Sequence, residues 1–426
     1  MKKSFKKRVF ISIFILLALY VVNIFISTGF FRTIENSFDG KILQEINLSG
    51  AEDITISQTD HFAIISATAR KKIPRTQQET GGLYFLDLTK KNYQPILLTE
   101  NFKKPFAPHG ISIYKKDSSY MVAAINHTKQ GEFIEIFELI GQELTHQKTL
   151  TNELIFSPND LVLLDEKRFY FTNDHKYKEG IPRLAEDYLG LAVSNVVYYD
   201  GKNYSEVADG IAYANGINYD AKKRLLFVAS PRDFLVKVYQ KNEDNTLTFI
   251  ENIDCNTGVD NIEFDTDNNL WIGAHPSLLD FTAYAKGDKA IAPSEIIKIS
   301  YLEKGNYSVE QIYMEVGAKM SAATVAAPYG NLILMGNVMD ATFLILESNQ
   351  LLSRKLQSSQ KKIKSHHKSN VLYLMDGKEI SAASLEKIAP EQIKSVSVIK
   401  EEKEVSKYTD KKYDGVILIE LKKENL

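Results

Sequence analysis

Short runs of β-branched and aromatic residues recur along residues 50–346, and Gly, Asn, Asp or Pro separate them. Runs of four to eight residues at this spacing are typical of an all-β sandwich, barrel or propeller. About 300 residues is long for one sandwich, whereas a four-stranded propeller blade uses about 40–50 residues. The sequence therefore predicts an all-β fold, a six-bladed β-propeller over residues 45–347, although no clean internal repeat is visible. The supporting runs include residues 62–66, 83–88, 120–125, 133–139, 169–172, 196–199, 225–229 and 332–335.

The composition is that of an ordinary folded protein and excludes some classes of function. Of the 426 residues, 44% are apolar and 25% are charged, which is enough to bury a large core. The formal net charge of −2 gives no overall field that favours nucleic acid, so we expect no nucleic-acid partner. Cys255 is the single cysteine, which excludes an intramolecular disulfide and a multi-thiolate zinc site.

Residues 1–31 predict a membrane-spanning segment. The uncharged stretch 9–31 gives a helix of about 34 Å at about 1.5 Å per residue, enough for a hydrocarbon core of about 30 Å. Basic residues before the stretch, with Glu35 and Asp39 after it, favour an inside N-terminus and an exported remainder. A cleaved signal peptide is the alternative, but residues 27–30 match a small-x-small cleavage site poorly. We therefore expect residues 1–31 to be an uncleaved transmembrane helix, or an uncleaved signal sequence, that attaches the chain to the membrane.

The composition changes after residue 347. Residues 348–370 are rich in Lys, Arg, His, Ser and Gln, which predicts a basic linker. Beyond it, strand-like runs at 371–375, 393–399 and 416–421 surround a predicted helix at 383–388. This pattern predicts a small α+β domain over residues 371–423.

Acidic and amide residues stand directly before several strand-like runs. Side-chain oxygens from separate blades that meet at a common axis suit Ca²⁺, which takes six to eight oxygen ligands. Neighbouring residues in extended backbone point opposite ways, so an adjacent pair can serve two ions. The alternative is that these residues only mark turns, as Asn and Asp often do. The residues are Glu52-Asp53, Asn159-Asp160, Asn215 and Asp260-Asn261.

Three histidines lie at predicted strand ends. His109 precedes an alternating run, and His127 closes the next strand. If the two strands pair, one ring can orient the other as a general base for water. His275 is a third candidate, and a hydrogen-bonded structural role is the alternative for each.

Longer motifs in this region resemble the paraoxonase/arylesterase family, in the family's order and with similar spacing. They cover most of residues 50–346 and together are highly specific. The motifs are PHGISIY (108–114), SPNDLVLLDEKRFYFTNDH (157–175), EDYLGLAVSNVVYYD (186–200), YANGINYD (213–220) and VDNIEFDTDNNLWIGAHP (259–276).

The resemblance implies a calcium-dependent lactonase or arylesterase with two Ca²⁺ ions in the central tunnel. The implied ligands of a catalytic ion are Glu52, Asn159, Asn215, Asp260 and Asn261. Those of a structural ion are Asp53, Asp160 and the backbone carbonyl of Ile111. His109 and His127 match the family's proposed catalytic dyad, and His275 matches its active-site wall.

The chain also departs from the family pattern. The family's disulfide is impossible here, so ring closure must rest on strand pairing and on packing near residues 325–346. Residues 68–80, at the position of the family's tyrosine-bearing lid, are basic. This leaves the choice of substrate open.

Residues 372–380, 393–400 and 414–419 are similar to the plug domain of TonB-dependent outer-membrane receptors. The likeness implies a partner-binding domain and a two-membrane bacterial host, with the propeller in the periplasm. Two other functions stay open: a sugar-lactone hydrolase of a related propeller family, and a non-catalytic membrane-tethered binding propeller.

Overall fold

Apolar residues that recur along short strands build six sheets between residues 37 and 348 of the computed structural model, five with four strands and one with five. The structure describes residues 2–70, 80–353, 371–385, 388, 392–399, 402–411, 413 and 415–422. Residues 71–79 of the segment 68–80 at the expected lid position, and residues 354–370 of the predicted linker, lie outside this range. Two units divide between Glu347 and Ser348.

The six sheets follow one another along the chain as propeller blades. Blade 1 contains β3 (Ala51–Ser57), β4 (Phe62–Thr68), β5 (Gly81–Asp87) and β6 (Ile96–Leu97). Blade 2 contains β7 (Pro108–Lys116), β8 (Ser119–Thr128), β9 (Gly131–Ile140) and β10 (Glu143–Leu150). Blade 3 contains β11 (Pro158–Leu163), β12 (Phe169–Asn173), β13 (Ser194–Tyr199) and β14 (Tyr204–Ile211).

The second half of the ring repeats this plan. Blade 4 contains β15 (Ile217–Asp220), β16 (Leu225–Ser230), β17 (Leu235–Lys241) and β18 (Leu247–Asp254). Blade 5 contains β19 (Gly258–Phe264), β20 (Leu270–His275), β21 (Ser294–Glu303) and β22 (Asn306–Glu315), with β1 (Ser37–Phe38) at its edge. Blade 6 contains β23 (Ala323–Tyr329), β24 (Leu332–Asn337), β25 (Thr342–Ser348) and β2 (Gly40–Asn47).

The first strand of each blade lines the centre of the ring. Each of these inner strands contacts the inner strand of the next blade, and β23 contacts β3 to complete the circle. The outer strand of blade 6 is β2, which comes from the N-terminal side of blade 1. The ring is therefore closed without a disulfide, and the expected six-bladed propeller is confirmed.

The core lies between neighbouring blades. Side chains such as Phe62 and Val122 pack together between blades 1 and 2, and Phe227 and Ile272 do so between blades 4 and 5. Each blade thus buries both faces of its inner strands, which explains why strands such as β4 and β16 are nearly continuous apolar runs.

The described part of the propeller unit includes the helices α1 (Lys2–Ser27), α2 (Gly180–Leu189) and α3 (Leu278–Lys286). Residues 10–27 of α1 have a mean hydropathy of 2.6, long and apolar enough to cross a membrane, a property that signal sequences share. Ser277 caps α3 by accepting a hydrogen bond from the Asp280 backbone N–H, which fixes the chain directly after His275.

The C-terminal unit is a mixed four-stranded sheet. Its strands are β26 (Val371–Met375), β27 (Lys378–Ile380), β28 (Ile393–Ile399) and β29 (Gly415–Leu421), in the order β27-β26-β29-β28 with β26 and β29 parallel. Two short helices, α4 (Ala382–Leu385) and α5 (Glu402–Val405), belong to the same unit.

Candidate active site

The candidate ligands lie where the inner strands lose regular pairing. The register with the second strand shifts between Ala51 and Asp53 and between Pro158 and Leu161. It shifts again between Val259 and Ile262. An irregularity of this kind redirects side chains, so consecutive acidic and amide residues face the centre instead of alternating strictly.

Two glycines allow neighbouring blades to approach the ligand pairs closely. A Cβ atom on Gly110 would lie 2.5 Å from the Cα atom of Asp160. One on Gly216 would lie 2.3 Å from the Asp260 carbonyl oxygen and 2.7 Å from the Asn261 Cα atom. A side chain at either glycine would displace the pair that it faces.

Asp53 and Asp160 have the same environment two blades apart. The Asp53 carboxylate accepts hydrogen bonds from the Ile54 and Ile111 backbone N–H groups, both at 2.8 Å. Asp160 accepts them from the Leu161 and Ile217 N–H groups, at 2.7 and 2.8 Å. The second bond of each pair joins the carboxylate to the inner strand of the next blade.

Burial raises the pKa of both aspartates well above its ordinary value. Glu52 adds to the rise at Asp53, and Asp53 adds to the rise at Asp160, because like charges oppose ionisation. A divalent cation between these carboxylates would favour the ionised forms. This pair therefore fits a cation site.

Glu52 and Asn261 meet across the ring from blades 1 and 5. The Asn261 side-chain amide donates to Glu52 Oε1 at 2.9 Å, and His109 Nδ1 lies 2.9 Å from Glu52 Oε2, outside hydrogen-bond geometry. Burial raises the pKa of Glu52, but His109, Arg70 and Asn261 together outweigh it and hold the pKa below its ordinary value. Glu52 is thus held as a carboxylate at the centre of the ring.

Four oxygens of the predicted ligand set are buried without a hydrogen-bond partner among the described residues. Asn159 and Asn261 use their side-chain N–H groups on Asp174 and Glu52, which leaves their carbonyl oxygens for another contact. Buried polar atoms are rarely left unpaired, and oxygen ligands of this kind suit Ca²⁺. The four oxygens are Glu52 Oε2, Asn159 Oδ1, Asn215 Oδ1 and Asn261 Oδ1.

Asp260 completes the predicted set from the same strand as Asn261. Its Oδ2 atom lies 2.9 Å from His275 Nε2. Burial raises its pKa, and His275 opposes that rise. Within the described range, no group of three or more His, Cys, Asp or Glu side chains alone is arranged to hold a metal. The fit to a cation therefore depends on the asparagine oxygens as well as the carboxylates.

The three candidate histidines surround this set. The rings of His109 and His127 have centroids 5.0 Å apart with a 60° angle between their planes. His275 stacks on Phe281 of α3, with centroids 4.1 Å apart. The predicted pairing of His109 with His127 is present, and His275 joins Asp260 rather than that pair.

Sequence reasoning did not predict the contacts of two side chains beside the histidines, Glu132 and Arg70 of the basic segment 68–80. Arg70 Nη2 donates to the Pro108 carbonyl at 2.7 Å and lies 3.4 Å from His109 Nδ1. Glu132 Oε2 contacts His127 Nδ1 from the next strand. The hairpin spacing between His127 and Glu132 was a usable signal, whereas nothing around Arg70 indicated its contacts.

The chain matches the family model described as Arylesterase over residues 32–345. It is 33% identical to serum paraoxonase/arylesterase 2 of Gallus gallus over 301 residues, covering 68% of this chain and 84% of that protein. It is 30% identical to serum paraoxonase/lactonase 3 of Oryctolagus cuniculus, covering 69% of this chain and 85% of that protein. A solved luciferin-regenerating enzyme aligns at 12% identity and a TM-score of 0.47, covering 74% of this chain and 96% of that one. The family model and these relatives span most of the propeller, and the chain belongs to the arylesterase family.

Proposed function

We propose that the chain is a calcium-dependent hydrolase that opens lactones or cleaves aryl esters at the centre of the propeller. Membership of the arylesterase family and the named activities of the relatives support the hydrolase class. The calcium ions and the histidine mechanism are proposals of ours that rest on the geometry of the site.

One observation carries the metal proposal: buried oxygens from blades 1, 3, 4 and 5 have no hydrogen-bond partner among the described residues. We assign Glu52, Asn159, Asn215, Asp260 and Asn261 to a catalytic ion. We assign Asp53, Asp160 and the Ile111 carbonyl to a structural ion. The first set carries two carboxylates, which balance one divalent charge while neutral amides complete the shell.

Calcium bound at the first set would supply a Lewis acid for the carbonyl oxygen of the substrate. His109 acts as the general base that takes a proton from the attacking water, and His127 assists it. His275 and Phe281 form a wall of the site, because their stacked rings lie beside Asp260. In this proposal the protein side chains remove a proton from water. They do not form a covalent intermediate with the substrate.

A hydrolysis screen tests the proposal. Purified full-length protein in detergent is assayed with aliphatic lactones, acyl-homoserine lactones and phenyl acetate, with and without a calcium chelator. We expect hydrolysis of at least one class, loss of activity on chelation and recovery with Ca²⁺ but not with Mg²⁺, which demands smaller and more regular coordination.

Calcium binding without hydrolysis of any of these esters across the pH range would instead support a non-catalytic binding propeller. Hydrolysis that survives chelation would remove calcium from the proposal but keep the ester substrate.

We further propose that α1 is an uncleaved anchor that holds the propeller outside the cytoplasm, on the periplasmic side in a two-membrane bacterium. Its length and hydropathy support the anchor, and the basic residues before it support the sidedness. We propose that the C-terminal unit is a plug-like domain for a protein partner. Its compact mixed sheet supports an independent domain.

A further inference from the structure

His127 and Glu132 face each other across the hairpin of β8 and β9. They are directly paired residues in its register, and opposite residues on one face of a sheet have Cβ atoms about 4.5–5.5 Å apart. The Glu132 carboxylate contacts His127 at Nδ1. The hairpin itself therefore sets this contact, and it does not depend on a flexible loop.

A carboxylate at Nδ1 determines which nitrogen of the ring carries the proton. An ionised carboxylate only accepts hydrogen bonds, so Nδ1 must be the donor, and in the neutral ring Nε2 is then the acceptor. His127 is buried, and its ring lies 5.0 Å from that of His109. His109 can pass a proton to His127 only if His127 presents an acceptor nitrogen to it.

We propose that Glu132 is a positioning residue that fixes the tautomer and the ring orientation of His127, which in turn supports His109. This inference rests on the proposed hydrolytic function and adds a third member to its histidine pair. The arrangement has the logic of a base oriented by a carboxylate, as in catalytic triads.

A purely structural carboxylate on the same strand looks different. Glu135 is buried and accepts hydrogen bonds from Asn126, His146 and Thr149, so it joins three strands. The Glu132 side chain keeps 25% of its surface exposed, and its contact is with His127. Its placement serves the histidine more than the packing of the blade.

Kinetics of Glu132→Gln and Glu132→Asp test the inference, with Glu138→Gln as the matched control. Glu138 lies on the same strand and accepts a hydrogen bond from the Ser119 hydroxyl at 2.9 Å, away from the histidines. We expect Glu132→Gln to lower kcat about 10–100-fold with little change in KM or in melting temperature. Glu132→Asp should recover part of the loss, and Glu138→Gln should behave as the wild type.

A double variant separates positioning from a general effect on the site. In a His127→Gln background, Glu132→Gln should cost no further activity, because its effect passes through His127. Additive losses, a change confined to KM, or an unchanged kcat in an active enzyme would each overturn the inference.

A second readout does not require activity. Nitrogen-15 histidine spectra of the full chain, which has eight histidines, report the tautomer of each ring, and His127→Gln identifies the His127 signal. We expect the Nδ1–H tautomer in the wild type and a mixture in Glu132→Gln. An Nε2–H tautomer in the wild type would refute the positioning role even if the protein hydrolyses lactones. Absence of hydrolysis together with the Nδ1–H tautomer would count against the proposed function alone.

Discussion

Glu52 and Asp53 are neighbours in the sequence, yet they have separate partners. Glu52 meets Asn261 and His109, whereas Asp53 binds backbone N–H groups on its own strand and on blade 2. The register shift between Ala51 and Asp53 lets both side chains face the centre of the ring, where their partners differ. Two adjacent carboxylates thereby contribute to two different environments.

The first prediction is that loss of a proposed calcium ligand lowers activity more than loss of the proposed general base. Asp260→Ala should lower kcat/KM more than His109→Gln, because it removes one of the two carboxylates of the first set, whereas a general base contributes about 10²–10⁴-fold. Steady-state kinetics on the best substrate of the screen give the comparison. Asp267→Ala, an exposed residue of the same hairpin, is the control. A larger defect in His109→Gln would reverse the two roles.

The sequence motifs predicted which residues lie at the site, but they did not predict all the contacts of those residues. Motif positions predicted Glu52, Asn261 and His109 as site residues, and the structure brings these three side chains together. They did not indicate the contacts of Arg70 or Glu132, because only the folded chain brings these side chains close to the histidines. His275 was expected at the wall, and it contacts Asp260 on the neighbouring strand β19, where the register shifts between Val259 and Ile262.

At the scale of elements, His175 joins the end of β12 to α2. Its Nδ1 lies 2.7 Å from Asp174 and its Nε2 lies 2.9 Å from Asp187 of α2. Burial lowers the pKa of His175 and nearby Arg183 opposes protonation, but the two carboxylates outweigh them and raise the pKa above 6.5. The ring, whose protonated form the two carboxylates favour, therefore ties α2 to blade 3.

The second prediction follows from the raised pKa of His175. A raised folded-state pKa means that the stabilisation is complete below about pH 6.5 and is lost as the pH rises through the folded-state value. His175→Gln should therefore reduce the free energy of unfolding most at about pH 5.5 and least at about pH 9. Urea unfolding at both values measures it, with His61→Gln, whose ring bonds Tyr329, as the control. A difference from wild type that grows with pH would contradict this assignment.

The segment between α1 and β1 is fixed to blade 5 by a buried ion pair. Arg32 donates two hydrogen bonds to the Glu295 carboxylate, at 2.6 and 2.5 Å. The Glu295 side chain is 1% exposed. Breaking such a pair leaves an uncompensated buried charge.

The third prediction is that Arg32→Met destabilises the propeller by about 3–5 kcal/mol. Adding Glu295→Gln should recover much of the loss, because the buried charge is then gone. Lys41→Met is the matched control, since its pair with Glu347 is largely exposed and contributes at most about 1 kcal/mol. Denaturant unfolding measures the free energy of unfolding of the wild type, the two single variants and the double variant. Equal losses in Arg32→Met and Lys41→Met would show that burial of the pair is unimportant.

At the scale of the whole molecule, length and strand spacing were enough to predict six blades. They were not enough to predict which strand closes the ring. Residues 40–47 form β2, whose burial alternates in a pattern typical of an edge strand. Its partner β25 lies roughly 300 residues later, so no local pattern connects the two. Local periodicity identifies strands, whereas long-range pairing depends on the fold.

The fourth prediction concerns the stability of the ring. Ca²⁺ at about 100 times its dissociation constant should stabilise the folded state by about 2.7 kcal/mol per site, because it binds only that state. Thermal unfolding with Ca²⁺ and with chelator measures the shift in Tm. In Asp53→Asn the shift should shrink, since one carboxylate of the second set is lost. A Tm that is indifferent to chelation in the wild type would contradict the cation sites.

β2 is synthesised before the inner strand of every blade, and its partner β25 belongs to the last blade. It therefore stays unpaired until β25 has been synthesised. At about 5–20 residues per second, translation of the intervening chain takes roughly 15–60 s. Throughout that interval β2, only 12 residues after the apolar helix, exposes unpaired backbone groups that invite association with other strands. Folding yield in cells should therefore depend on chaperones that shield this segment while the rest of the polypeptide is still being made.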